Sequence, residues 1–156
     1  MTRRVVLVAL LAFVLALPAL AIAQTPNFSG KWTQDMEKSD PAMGGRGPAG
    51  PQSVTITQTA TEFTLERETQ NGVMKTVYKL DGSDSVNAMG RGGEVKSKSA
   101  WEGGKLVTKY SRTMGETTVE VTETRSIEAD GTMTVVTAMK GGPQGDTTRK
   151  VVFKKA

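Results

Sequence analysis

The chain has 156 residues, a formal net charge of +4, 37% hydrophobic residues, and neither cysteine nor histidine. Those two absences exclude disulfide stapling, Cys and His nucleophiles, histidine general bases and the common zinc ligand sets. The 20 basic residues are scattered among 16 acids, which describes a solvated mixed-charge surface and excludes a massed nucleic-acid patch.

Met1 to Ala23 has the three parts of an export signal. Arg3 and Arg4 form the positive start, Val5 to Leu17 an apolar run, and Ala21-Ile22-Ala23 a small-x-small cleavage site. The apolar run is shorter than the ~20 residues of a spanning helix, and no stop-transfer segment follows it. Residues 1–23 are therefore predicted to be a cleaved signal peptide. Without a cysteine after the cut, lipid attachment there is excluded. Two arginines and no acids leave with the signal, so +4 becomes +2. Residues 24–156 suit a single domain that buries roughly two thirds of its unfolded surface. A periplasmic or secreted monomer, not embedded in a membrane, is expected.

The mature part opens on Phe28-Ser29-Gly30-Lys31-Trp32. Residues 40–51, Asp-Pro-Ala-Met-Gly-Gly-Arg-Gly-Pro-Ala-Gly-Pro, follow as an irregular loop, because that glycine and proline content cannot form a strand interior. No Gly-Lys-Ser/Thr and no helix start accompany its glycines, so it is not a phosphate loop. It is read as a linker or as a flap beside a barrel mouth.

From there, turn signals punctuate the chain: Gln70-Asn71-Gly72, Asp81-Gly82, Gly103-Gly104, Gly115-Glu116, Asp130-Gly131 and Gly141-Gly142. Between them the runs are rich in Thr, Val and aromatics and alternate with period two, as in Val54/Ile56, Phe63/Leu65, Tyr78/Leu80, Val119/Val121 and Val151/Phe153. Short strands joined by tight turns predict an all-β, antiparallel up-and-down barrel of about eight to ten strands. Lys96, Lys98, Lys109, Glu120 and Lys150 fall on the outward face, which argues against an outer-membrane barrel with its apolar outer band.

The inward face carries more than an apolar core. The same parity turns Gln34, Gln58, Arg67, Thr76, Ser97, Ser99, Thr108, Arg112, Glu123, Arg125, Thr137 and Arg149 inward. Unpaired buried polar groups cost ~1 to 3 kcal/mol each. These side chains must therefore pair with one another, meet water or meet a ligand, unless β-bulges return several of them to solvent. Arg125, Glu123, Tyr110, Trp101, Tyr78 and Arg112 are the candidate ligand-binding residues. Glu123 and Arg125 are expected to form an internal ion pair, for which an acidic amphiphile would compete. Trp101 and Tyr110 flank the Gly103-Gly104 turn and are read as facing each other, either as a ligand-stacking pair or as a structural cross-strand pair. The methionines show no Met-x-Met or Met-x-x-Met cluster, so copper binding is not expected and no cofactor is implied.

The opening Phe28 to Trp32, the Trp101-Glu102-Gly103-Gly104-Lys105-Leu106 hairpin, Asp130-Gly131-Thr132-Met133 and the terminal Arg149 to Ala156 together resemble the calycin superfamily of lipocalins and fatty-acid-binding proteins. The resemblance spans nearly the whole mature chain. It implies a barrel around a cavity for a small apolar ligand. It also implies that Trp32 closes one barrel end, with a basic residue of the last strand, Arg149, packed across its ring. Three departures accompany it. Fatty-acid-binding proteins end in Arg-x-Tyr or Arg-x-Phe, two members of a carboxylate clamp, whereas this chain has Val151 and Phe153; and Arg125 lies one residue out of register with the family's other inward arginine. The family's two-helix lid is replaced by the 40–51 loop.

Two readings follow. One is an exported, non-catalytic protein holding a small hydrophobic or amphiphilic ligand. The other is an interaction module whose barrel is filled by its own side chains and whose surface binds a macromolecule. No Ser-x-x-Lys or Gly-x-Ser-x-Gly supports an enzyme. Cavity volume separates the two, with ~300 Å³ or more favouring the carrier.

Overall fold

The computed structural model describes residues 25–42, 50–88 and 93–156, together with the backbone but not the side chain of Met114. The expected signal segment 1–23 and the middle of the Gly/Pro loop lie outside the described residues.

Ten strands follow one another: β1 (Gly30–Asp35), β2 (Ser53–Gln58), β3 (Glu62–Thr69), β4 (Gly72–Lys79), β5 (Asp84–Ala88), β6 (Glu94–Glu102), β7 (Lys105–Met114), β8 (Thr117–Ile127), β9 (Met133–Gly142) and β10 (Gly145–Lys155). They form one antiparallel sheet in the order β4-β3-β2-β1-β10-β9-β8-β7-β6-β5. From β2 to β4 and from β5 to β10 consecutive strands pair through short connections, β1 pairs with β2 across residues 36–52, and β1 and β10 join the two chain ends, with Trp32 opposite Lys155 and Gln34 opposite Phe153. This is an up-and-down barrel. The β6–β7 connection shows why glycine is needed at its turn: Glu102 pairs with Lys105, and both intervening residues, Gly103 and Gly104, have positive φ, 57° and 78°. That is the two-residue turn whose twist matches the flanking strands.

One seam is built differently. β4 and β5 have no backbone ladder. Side chains span it instead: the Asn87 amide accepts from Val77 N and donates to Val77 O, both at 2.8 Å, and Ser85 Oγ accepts from Lys79 N at 2.7 Å. The unpaired strand edge of β4 thus finds partners without a ladder.

The apolar core gathers at the end where the chain enters. Phe28, Trp32, Val54, Ile56, Phe63, Leu65, Leu80, Leu106, Met133 and Phe153 form it. Phe28, just before β1, is the plug. Its ring stacks on Trp101 at 6.0 Å and meets Phe63 edge-on at 5.9 Å, and its carbonyl accepts from Trp32 Nε1 at 2.8 Å. The indole N–H, which a buried tryptophan must satisfy, is satisfied there.

Trp32 is closed over by Lys155 rather than by Arg149. The Lys155 ammonium lies 5.5 Å from the centre of the Trp32 ring. Its Cε would stand only 3.0 Å from a Cβ on Gly30, whose φ is 132°. Glycine at position 30 makes room for the lysine stem. Arg149 is six residues nearer the other barrel end, about 20 Å along the strand, and its Nε donates to Pro41 O at 3.1 Å.

Candidate functional site

Above the plug the interior opens into a cavity of about 270 Å³. Its lower wall is apolar, from Val54, Leu65, Met133, Val135, Val151 and Phe153; its upper wall is polar, from Gln52, Arg67, Thr76, Asn87, Ser97, Glu123, Thr137 and Arg149. Met74, Tyr78, Val95, Tyr110 and Arg125 complete the lining. Period-two alternation puts the arginines here: Arg125 shares the inner face of β8 with Glu123 and Val121, and Arg67 shares that of β3 with Leu65 and Phe63.

Arg125 is the pivot of the polar cluster. Its side chain is 5% exposed, and Nη2 donates to Glu123 Oε2 at 2.5 Å. The guanidinium reaches across the barrel to lie 5.5 Å from the Phe63 ring centre and 5.6 Å from that of Tyr78. Burial is the largest single influence and works against its charge, but the Glu123 carboxylate together with Tyr78 and Tyr110 holds the guanidinium above its ordinary pKa. The other carboxylate oxygen accepts from the Tyr110 hydroxyl at 3.2 Å. Burial raises the Tyr110 phenol well above its ordinary value, and the Glu123 charge raises it further; burial also raises Tyr78. Both tyrosines are therefore neutral donors at physiological pH. One group in this cluster is left over: Arg125 Nη1 is buried with no acceptor in the protein.

Four of the six candidate ligand-binding residues, Arg125, Glu123, Tyr110 and Tyr78, line this one cavity. The other two do not. Trp101 pairs with Leu106, not with Tyr110, and stacks on Phe28 in the plug. Tyr110 instead pairs with Ser97, about 13 Å farther up the hairpin. A two-residue turn forces Trp101 opposite Leu106. Arg112 is inward and half-buried but lies beyond the cavity lining, with Nη2 on the Met139 sulfur at 3.2 Å. Arg149, expected on Trp32, lines the cavity instead.

The remaining inward polar side chains divide between partners and cavity. Ser99 and Thr108, both fully buried, bond to each other at 2.8 Å; Gln58 accepts from Phe28 N and donates to Pro26 O; Gln34 accepts from Gln52 N. Arg67, Thr76, Ser97, Thr137 and Arg149 face the cavity. The register shift between Gly145 and Thr147 sits at the β9–β10 turn and leaves this parity undisturbed. Gln52, Met74 and Asn87 were not singled out from sequence. Extending the alternation one step past Val54, Thr76 and Ser85 finds all three.

No protein-family model matches the chain, and no curated protein matches it. Solved structures do. The zebrafish ileal bile-acid-binding protein, crystallised with cholic acid, superposes with a TM-score of 0.65 at 20% identity, over 83% of this chain and 98% of that one. The chain has the calycin fold. A mutant of the REP1-NXSQ fatty acid transporter superposes with a TM-score of 0.59 at 16% identity, over 82% of this chain and 97% of that one. At these identities the likeness concerns the barrel fold alone.

Proposed function

We propose that this chain is an exported, non-catalytic binding protein that holds one small hydrophobic or amphiphilic molecule inside its barrel. The observation that carries the reading is the cavity itself: apolar side chains line much of it, and beside them stands a buried Arg125 N–H that no protein group accepts. A barrel packed for its own sake would not leave a buried guanidinium donor empty beside open space. The volume, about 270 Å³, falls short of the ~300 Å³ expected above to favour the carrier, yet the interior is open and not packed, so the ligand is a small one. Two proteins of the same fold are named for bile acids and fatty acids, which supports an apolar or amphiphilic guest. Export rests on the Met1–Ala23 sequence pattern.

Native mass spectrometry of protein taken from the periplasmic fraction of expressing cells tests both parts. The expected spectrum is a polypeptide starting at Gln24 with a bound amphiphile that organic solvent releases. A bare polypeptide that also fails to take up added amphiphiles would contradict the carrier; an intact Met1 would contradict export.

A further inference from the structure

The cations of this protein segregate by type. Each of the twelve lysines is exposed, whereas Arg67, Arg112, Arg125 and Arg149 are all buried or half-buried and turned inward. The other two mature-chain arginines, Arg46 and Arg91, lie outside the described residues. Charge alone would not sort the two residue types. What arginine adds is a planar fork of donors that matches an oxyanion in bidentate fashion.

Inside the cavity, three guanidiniums, Arg67, Arg125 and Arg149, face one carboxylate, Glu123. Glu123 is already spent on Arg125. Among the described residues, which include every Asp and Glu of the chain, Arg67 and Arg149 form no ion pair. Arg67 Nε is buried without an acceptor, and Arg149 has only the backbone oxygen of Pro41. Both stand on the wall formed by β10, β1, β2 and β3, at its mouth end. Their strands are three apart in the sheet, and Arg149 stands six residues farther along β10 than Lys155, which shares a rung with Trp32, Val54 and Arg67; Gln34 and Gln52 lie between them. Arg149 and Gln52 also border a second hollow at the mouth, of about 340 Å³, that contains Asp40. The Asp40 carboxylate accepts from Lys150 N at 2.6 Å and does not pair with Arg149.

We propose that the ligand sits head outward: a doubly charged oxyanion head of the phosphate-monoester kind lies between Arg67 and Arg149, and its tail runs down onto Val54, Leu65, Val135 and Val151. This rests on the carrier reading above and adds the head's charge and place to it. The uncompensated charge on the wall is two, which a dianion balances. A head at the deep end would meet an Arg125 whose charge the Glu123 carboxylate already balances, with only the Nη1 donor left over, beside the apolar Val151 and Phe153.

The experiment is displacement of the neutral fluorophore Nile red by decanol, decanoate and decyl phosphate. For the unmodified protein decyl phosphate should displace it most effectively and decanol least, with about tenfold or more between them. In the Arg67→Gln/Arg149→Gln variant that preference should collapse while decanol still displaces the dye, which shows the barrel intact. In the Glu123→Gln/Arg125→Met variant the preference should remain. A preference that survives the first variant and vanishes in the second would overturn the outward head. Equal displacement by all three compounds would overturn the anionic head and leave the carrier standing. Failure of every compound, decanol included, would overturn both.

Discussion

Below Arg125 the barrel interior is a plug of Phe28, Trp32, Phe63 and Trp101 that excludes solvent and satisfies the Trp32 indole N–H internally. Above it the same strands, with the same alternation, present Arg67, Glu123, Tyr110 and Arg149 to an open cavity. The lower half is stable because apolar area is removed from water. The upper half carries charge that is stable only when paired. A barrel of this size thus divides its labour along its axis, so that stability and binding can be altered separately.

The largest effect should come from the plug. Phe28→Ala or Trp32→Ala should each cost about 3–5 kcal/mol, the range for removing a large buried aromatic, read as a fall in the urea midpoint at unchanged slope. The same substitution at Val95, which lines the cavity, should cost far less, since space already lies beside it. Equal losses at the two levels would erase the distinction between plug and cavity.

Next in size is the buried pair. Glu123→Gln leaves the Arg125 guanidinium buried with a neutral partner and should cost about 2–4 kcal/mol. Adding Arg125→Met to it should restore most of that, because an apolar replacement for both partners removes the uncompensated charge. Chemical denaturation of the two singles and the double measures this. A double variant as unstable as Glu123→Gln would show that the pair is not what the upper half depends on.

Alkaline titration sharpens the comparison without a mutation. The chain has two tyrosines, and both, Tyr78 and Tyr110, line the cavity with raised pKa values. A raised folded-state pKa means the associated stability is complete below the unfolded value near pH 10 and is lost as pH rises beyond it. Tyrosinate absorbance at 295 nm should therefore stay flat through pH 10 and appear only with unfolding. A smooth titration near pH 10 in folded protein would place the phenols in solvent.

The β1/β10 seam supplies the smallest expected effect. A Trp32/Lys155 double-mutant cycle should give a coupling of about 0.5–1 kcal/mol, the scale of a cation–π contact at an exposed site. A Trp32/Arg149 cycle should give none beyond the ~0.3–0.5 kcal/mol of additivity error.

That seam also marks where the sequence stops being informative. Alternation such as Val54/Ile56 and Phe63/Leu65, with turns such as Gly103-Gly104, is local, and it made the barrel and its inward residues legible. Which residue of the last strand covers Trp32 is a matter of long-range register, fixed by pairing Trp32 with Lys155 across the whole chain; nothing near either residue encodes it. Trp101 was misplaced for a local reason, because a two-residue turn dictates its partner by counting. The height of Arg112 and Arg149 depends on strand stagger around the barrel, which alternation alone does not give. Arg125 with Glu123 was legible because both lie on one strand, two residues apart.

If the space beside Arg125 is a binding cavity, a side chain that fills it abolishes binding. Filling it tests this most directly. Val95→Trp places a large side chain into the lining from β6, outside the apolar cluster of the plug. Nile red titration should show saturable one-to-one binding to the unmodified protein and its loss in this variant, with a thermal midpoint that is unchanged or higher. Equal binding to both proteins, or none to either, would contradict a ligand inside the barrel.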